Sequence, residues 1–240
     1  MELINKKENQ ITFKCKINES LANVIRRYIN EIPILAIDEV EIFKNDSPLY
    51  DETIAHRIGL IPLKMDKSMD EKTIVPIKLV SKKEGVVLSG ETSGKIKPVY
   101  ENIPITSLNQ EQELEITGIA RSGKGSKHAK FSPGIMFYRK IQEIILDKDL
   151  VNEVKKIYPA LEGEEKGDKI IIIDDKKTEI TDICESISEK KGKKIEIKEK
   201  EGLVITLESF GQIGAEDMFK NAIEEAKKDV TDISKRVSKA

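Results

Sequence analysis

Tryptophan is absent from this 240-residue sequence, and only five tyrosines and six phenylalanines are present. An apolar fraction of 38% is enough for a core but not for several large ones. The two cysteines, Cys15 and Cys184, lie far apart and form no CxxC pair, which excludes a disulfide framework and a four-thiolate metal site within the chain. Both are expected to be reduced thiols. No apolar run approaches the ~20 residues of a membrane helix: Ile170 to Ile173 stops at Asp174-Asp175. The opening MELINKKENQ lacks the apolar stretch of a signal peptide, so a cytoplasmic chain without membrane attachment is expected. An excess of one charge sign is also missing. Lys+Arg number 41 and Asp+Glu 43, a net charge of -2, which excludes a generally basic surface that coats nucleic acid or anionic lipid.

Charge itself is plentiful, at 35% of residues against a usual ~25%. Residues 2 to 17 predict a hairpin, its second strand marked by Ile11, Phe13, Cys15 and Ile17 at period two. Asn18 is then a candidate N-cap for a helix with Leu21, Val24, Ile25, Tyr28 and Ile29 on one face, Arg26 and Arg27 on the other, and Ile32-Pro33 as its stop. Ala36 to Lys44 predicts a strand, and Asp51 to Gly59 a second helix with Gly59 as its C-terminal glycine. Short β-type runs recur at Ile74 to Val80, Val86 to Glu91, Lys97 to Glu101 and Glu113 to Ile119, giving a mostly antiparallel sheet. A Gly- and Lys-rich loop is expected over Arg121 to Ser132, followed by a strand at Ile135 to Leu146.

From Asp147 to Gly202 the composition shifts to 16 acidic and 13 basic residues, with Tyr158 as the one aromatic. Helical patches at Leu150 to Ile157 and Thr181 to Lys190 alternate with strand-like Lys169 to Ile173 and Lys193 to Lys198, the pattern of a small appended module. Apolar alternation returns at Leu203, Ile205 and Leu207. The chain then closes with a helix from Ala215 to Val237, about 35 Å long. Its stripe is Phe219, Ala222, Ile223, Ala226, Val230, Ile233 and Val237. Seven such side chains represent about 10 kcal/mol of gross transfer free energy at about 1.5 kcal/mol each, so the stripe requires either the chain's own strands or a partner helix.

Residues Gly118 to Gly125 imitate a phosphate-binding P-loop, but Gly125 stands where a Ser or Thr should hold magnesium, and no helix follows. The basic residues Arg121, Lys124, Lys127, His128 and Lys130 fit either a solvated loop or contact with phosphates or an acidic partner. Neither His56 nor His128 has a carboxylate partner in sequence that would suggest proton transfer, and Cys184 fits a small buried apolar residue. No catalytic constellation is visible. The open alternatives are a protein scaffold, a nucleic-acid-binding module acting through residues 121 to 130, and a nucleotide-binding enzyme at the same loop.

The segment Leu21-Ala-Asn-Val-Ile-Arg26-Arg27-Tyr-Ile-Asn-Glu-Ile-Pro33 resembles the signature of RNA polymerase alpha-like subunits, nearest the archaeal D type, counterpart of the third-largest eukaryotic polymerase II subunit. Three further blocks resemble it in family order: Asp51-Glu-Thr-Ile-Ala-His56-Arg57-Ile-Gly59-Leu-Ile-Pro62-Leu, Gly125-Ser-Lys-His128-Ala129-Lys130-Phe131-Ser132-Pro133 and Glu208-Ser-Phe-Gly211-Gln212. The resemblance implies an α+β fold with a discontinuous dimerisation domain (1–45 and 200–240), an inserted β-rich domain (46–146) and a ferredoxin-like module (147–199). It implies a non-catalytic scaffold of DNA-directed RNA polymerase that heterodimerises with subunit L, joins subunits N and P, recruits the large catalytic subunits, and meets DNA only through the holoenzyme. Leu21, Val24, Ile25, Tyr28, Phe219, Ala222, Ile223 and Ala226 would form the dimer core. Arg26, Arg27, His56, Arg57, Arg121, Lys124, Lys127, His128 and Lys130 would face the platform or a large subunit. Some members hold an iron-sulfur cluster in the appended module. Here Tyr158 precedes Pro159 where the family can have cysteine and Cys184 stands alone, so no cofactor and no metal are expected.

Overall fold

Period-two alternation at Ile11, Phe13 and Cys15 forms a strand, and Asn18 opens a helix behind it, its Oδ1 accepting the Leu21 N–H at 2.8 Å. The computed structural model describes residues 1–65 and 73–239. In chain order its elements are β1 (Glu2–Lys7), β2 (Gln10–Cys15), α1 (Glu19–Tyr28), β3 (Ile34–Asn45), α2 (Asp51–Gly59), β4 (Ile74–Ser81), β5 (Gly85–Leu88) and β6 (Thr92–Gly94). There follow β7 (Pro104–Leu108), β8 (Leu114–Gly123), β9 (Gly134–Asp147), α3 (Lys148–Ile157), β10 (Glu164–Lys166), β11 (Lys169–Asp174), α4 (Thr181–Lys190), β12 (Glu196–Ser209) and α5 (Ala215–Val237). Single 3-10 turns cover Ile29–Glu31, Ser89–Glu91 and Ala129–Phe131. Among the described residues no helix is long and apolar enough to cross a membrane.

Two compact units divide the chain: residues 1–23 with 136–207, and residues 24–135 with 208–240. The first carries a six-stranded sheet in the order β1-β2-β12-β9-β11-β10, with β1–β2, β9–β11 and β10–β11 antiparallel. Helices α3 and α4 pack together, and Leu150, Val154, Ile172, Cys184 and Ile187 close a core with Ile144 and Leu146. The two strand runs expected at Lys193 to Lys198 and at Leu203 to Leu207 are one continuous strand, β12. Gly202 carries it through at φ 109°, where a Cβ would lie 3.3 Å from the Cys15 carbonyl oxygen. Charged residues at Lys198 to Glu201 hide this continuity, because the strand leaves the buried interior there.

Asp174, where the apolar run of β11 stops, is fully buried rather than a surface punctuation mark. Its Oδ1 accepts from Arg139 Nη2 at 2.8 Å, while its Oδ2 accepts from the N–H groups of Ile180 and Thr181 at 3.0 and 3.2 Å and from Thr181 Oγ1 at 2.9 Å. The carboxylate thus sits at the positive end of α4 and ties it to β9 and β11. Arg139 also donates to the carbonyls of Asp174 and Lys176. Cys184, on α4, is buried, and burial, with the Asp174 charge second, pushes its thiol up to about 11. A thiol-disulfide exchange reagent at pH 8 is therefore expected to titrate one thiol, the half-buried Cys15, in the folded chain and two after denaturation. Two fast-reacting thiols in the native protein would contradict that placement.

The second unit holds a four-stranded sheet, β3-β8-β4-β6, and a two-stranded one, β5-β7, all antiparallel. Helix α2 packs on β3, and Leu35, Ile37, Ile54, Ile58, Leu79, Ile105, Leu114 and Ile116 share the core. Three expectations change here. Lys97 to Glu101 is not a strand, although Pro98 makes an isolated bridge to Leu63. Gly59 closes α2 without the left-handed conformation of a glycine cap, and Leu60 takes the C-cap position. The loop begins later than Arg121, because Arg121 to Gly123 still belong to β8 and pair with β3. Gly118 to Gly123 is therefore extended strand, paired with β3 throughout and with β4 as far as Arg121, which removes the P-loop reading.

Gly134 opens β9 at a point where a Cβ would lie 2.2 Å from the Glu208 carbonyl oxygen and 2.8 Å from Met218 Sδ. Backbone cannot yield as a side chain can. Gly134→Ala is expected to destabilise the chain by about 3 kcal/mol, the upper range for overpacking, read as a lowered urea midpoint at unchanged slope.

Candidate subunit interface

Helix α1 divides its apolar residues between two directions. Ala22, Ile25 and Ile29 are buried, whereas Leu21 and Val24 remain 47% and 43% exposed. Tyr28 is half-buried and donates from its hydroxyl to Asp229 Oδ2 on α5 at 3.1 Å. Burial first, and that carboxylate second, hold the phenol above its ordinary pKa. The 3-10 turn Ile29–Glu31 that ends α1 packs against α5.

The apolar burial of helix α5 is confined to its first half. Ala215, Met218 and Ala222 are buried, and Phe219, Ile223 and Ala226 are half-buried. Beyond Ala226 every described residue is exposed, including Val230, Ile233 and Val237 at 65%, 62% and 70%. These three continue the stripe that the first half buries. A monomer gains nothing from them, since helix propensity and charge on an exposed segment would be served as well by polar residues.

The basic segment is folded onto carboxylates. Arg121 meets Glu39 through both terminal nitrogens, at 3.0 Å to Oε1 and 3.1 Å to Oε2. Lys130 pairs with Asp38 at 2.7 Å and lies over the Phe131 ring at 5.1 Å, and Lys124 stands 3.6 Å from Glu31. His128 Nδ1 accepts the Lys130 N–H, which starts the 3-10 turn. Ser126 N–H donates to the Asn30 carbonyl and Ser132 Oγ to the Asn30 side chain. Gly125 leaves room for that side chain, since a Cβ would lie 2.8 Å from Asn30 Oδ1. Three of the five basic residues are thus held by acids of the same unit, while Lys127 and His128 are exposed. On α2, His56 is exposed, and Arg57 donates from Nη1 to the Ile105 carbonyl at 2.8 Å. Among the described residues no group of three or more His, Cys, Asp or Glu side chains is arranged to hold a metal ion.

A helix with an outward apolar pair and a terminal helix whose stripe outruns its own core are the marks of an incomplete assembly. The model of the RNA polymerase Rpb3/Rpb11 dimerisation domain matches residues 16–230. The chain belongs to the RNA polymerase Rpb3/Rpb11 dimerisation-domain family. It is 35% identical over 188 residues to the DNA-directed RNA polymerase subunit Rpo3 of Pyrococcus furiosus, covering 72% of each chain. It is likewise 35% identical over 187 residues to Rpo3 of Thermococcus kodakarensis, covering 71% of this chain and 72% of the relative. Rpo3 of Methanosphaera stadtmanae is 29% identical over 249 residues, 91% of both. Rpo3 is the archaeal alpha-like subunit of the D type, so the resemblance carried by the four sequence blocks holds.

Of the residues expected in the dimer core of this Rpb3/Rpb11-type chain, Leu21 and Val24 are free to meet a partner. Ile25 and Ala222 are buried within the chain itself. The helical period identifies the apolar face but not which half of it the chain's own residues cover. Phe219, Ile223 and Ala226 lie at the edge of the covered region. Val230, Ile233 and Val237, left out of that set, are the apolar residues of α5 with the most surface to offer, and their signal is the continuation of the stripe. Arg26 and Arg27 are exposed on the outward side of α1.

Proposed function

We propose that this chain is a non-catalytic scaffold subunit of a DNA-directed RNA polymerase, acting in the cytoplasm by assembling other subunits. It heterodimerises with subunit L through Leu21 and Val24 of α1 and the stripe of α5. Subunits N and P then join, and the platform recruits the large catalytic subunits, so that DNA is met only through the holoenzyme. The observation that carries the reading is the uncovered continuation of the α5 stripe at Val230, Ile233 and Val237 in a chain matched to a dimerisation domain. Co-expression with subunit L followed by mass measurement of the purified complex tests it. A 1:1 heterodimer is the expected result, and a soluble monomer that ignores subunit L would sink it.

The family pattern further supports a discontinuous dimerisation domain (1–45 and 200–240), an inserted β-rich domain (46–146) and a ferredoxin-like module (147–199). A buried cluster of its own, drawn from residues between Ile144 and Ile187, supports the module. The module is proposed to carry no iron-sulfur cluster, since Cys184 cannot supply several thiolates and Asp174 with Arg139 already joins its elements. Stoichiometric iron in anaerobically purified protein would contradict this. A nucleic-acid-binding module acting through residues 121–130 is not favoured, because Arg121, Lys124 and Lys130 are engaged by Glu39, Glu31 and Asp38.

A further inference from the structure

Two apolar faces that belong to different helices are tied together at one polar point. On α1, Val24 and Tyr28 stand four residues apart and so share a face, with Val24 43% exposed and Tyr28 half-buried. The Tyr28 hydroxyl donates to Asp229 Oδ2 of α5 at 3.1 Å, and the turn Ile29–Glu31 that follows Tyr28 packs against the same helix. Asp229 comes one residue before Val230 and four before Ile233, at the edge of the α5 stripe. By this point the burial of the helix has ended: Ala226 is half-buried, and every described residue after it is exposed.

Beyond Asp229 the polar contacts of α5 stay inside the helix among the described residues. Thr231 Oγ1 donates to the Lys227 carbonyl at 2.7 Å, Lys235 Nζ meets Asp232 Oδ1 at 3.4 Å, and Ser238 Oγ donates to the Ser234 carbonyl at 2.9 Å. From Asp229 to Val237 the helix runs about 12 Å further. A piece of that length is marginal as a helix on its own in water, so its order and direction derive from the last place where its unit grips it. That place is the Tyr28–Asp229 bond. Being exposed, the bond adds little to the stability of the whole chain, because water competes for both partners. Its donor is nevertheless well placed, since a phenol with few torsions and a half-buried ring carries its hydroxyl where α1 puts it. Burial first, and the Asp229 carboxylate second, raise the Tyr28 pKa, so the donating proton is retained at neutral pH.

We propose that Tyr28 is a positioning residue for subunit assembly: by holding Asp229 it fixes the outer half of α5 relative to α1, so that Val24 and the Val230–Ile233 stripe are set before a partner docks. The inference rests on the scaffold reading and deepens it, because it names the contact that prepares the exposed half of α5 for its partner. The ordering cost of that half is then met within the free chain and not at the moment of association. Tyr28 acts through Asp229, and its hydroxyl has no need of a contact with the partner.

The test uses the full chain, alone and with subunit L. Tyr28→Phe keeps the ring and deletes the donor, Asp229→Ala deletes the acceptor, and Asp229→Asn keeps an acceptor oxygen. Millisecond hydrogen–deuterium exchange of the free chain is expected to quicken about threefold at the amides of residues 230–237 in Tyr28→Phe and in Asp229→Ala. The double variant should exchange no faster than either, and Asp229→Asn should stay close to wild type. Affinity for subunit L is expected to fall by the same factor of about three in both disrupting variants and in their combination, while the free chain melts as wild type. Wild-type exchange or wild-type affinity in Tyr28→Phe, or losses that add in the double variant, overturn the positioning role and leave the scaffold reading intact. Failure of the wild-type chain to bind subunit L overturns the scaffold reading, and the assembly role of Tyr28 with it.

Discussion

Replacing Asp174 with alanine is expected to destabilise the chain by about 3–5 kcal/mol, the range for breaking one side of a buried charge pair. The loss has three parts. Arg139 loses its carboxylate partner at 2.8 Å, the Ile180 and Thr181 N–H groups lose their acceptor at the start of α4, and the Thr181 hydroxyl loses a partner at 2.9 Å. Since Asp174 is fully buried, water cannot replace it without opening the unit. Asp174→Asn keeps one amide oxygen for α4 but presents an N–H₂ group and no charge, so it is expected to lose less than the alanine variant. Arg139→Ala leaves the carboxylate with its remaining donors and should fall between the two. Urea unfolding followed by far-ultraviolet circular dichroism measures all three, and the double variant reports the coupling. An Asp174→Ala midpoint equivalent to less than about 1 kcal/mol of loss would mean that the hub does not hold the unit together.

Nothing in the one-dimensional pattern marks Asp174 as such a hub. An apolar run ending in Asp-Asp reads as a strand reaching solvent, and only the return of α4, six residues on, turns the first carboxylate inward. The basic segment failed to yield its role for the same reason: its acids, Glu39 and Asp38, stand some eighty to ninety positions earlier, on a strand that pairs with β8. What depends on local period and caps was readable. α2, α4 and α5 start and stop where periodicity and breakers placed them, and α1 opens at Asn18. Strand β7 was missed because five residues beginning at Pro104 give too little alternation to see, and β12 was cut in two by its own charges. The apolar faces of α1 and α5 were legible, but the burial of Ile25 and Ala222 follows from packing with residues distant in sequence.

Placing aspartate at two outward positions should separate assembly from folding. In Leu21→Asp/Val24→Asp, both side chains start about half exposed, so the isolated chain is expected to melt within about 0.5 kcal/mol per site of wild type. In a heterodimer the same two charges would be desolvated against an apolar helix. A cost of at least about 2 kcal/mol at such a contact lowers affinity roughly 30-fold, and two adjacent sites should abolish recovery of subunit L on an affinity column. Val230→Asp/Ile233→Asp tests the other helix with a stronger contrast, because those residues are 65% and 62% exposed in the monomer and yet prolong the stripe that Met218 and Ala222 bury. Burying two such side chains is worth about 3 kcal/mol before ordering costs, so this variant should also lose the heterodimer while slightly improving the solubility of the free chain. If both double variants still copurify with subunit L at wild-type yield, the partner does not use these faces. The exposed half of α5 would then need another explanation.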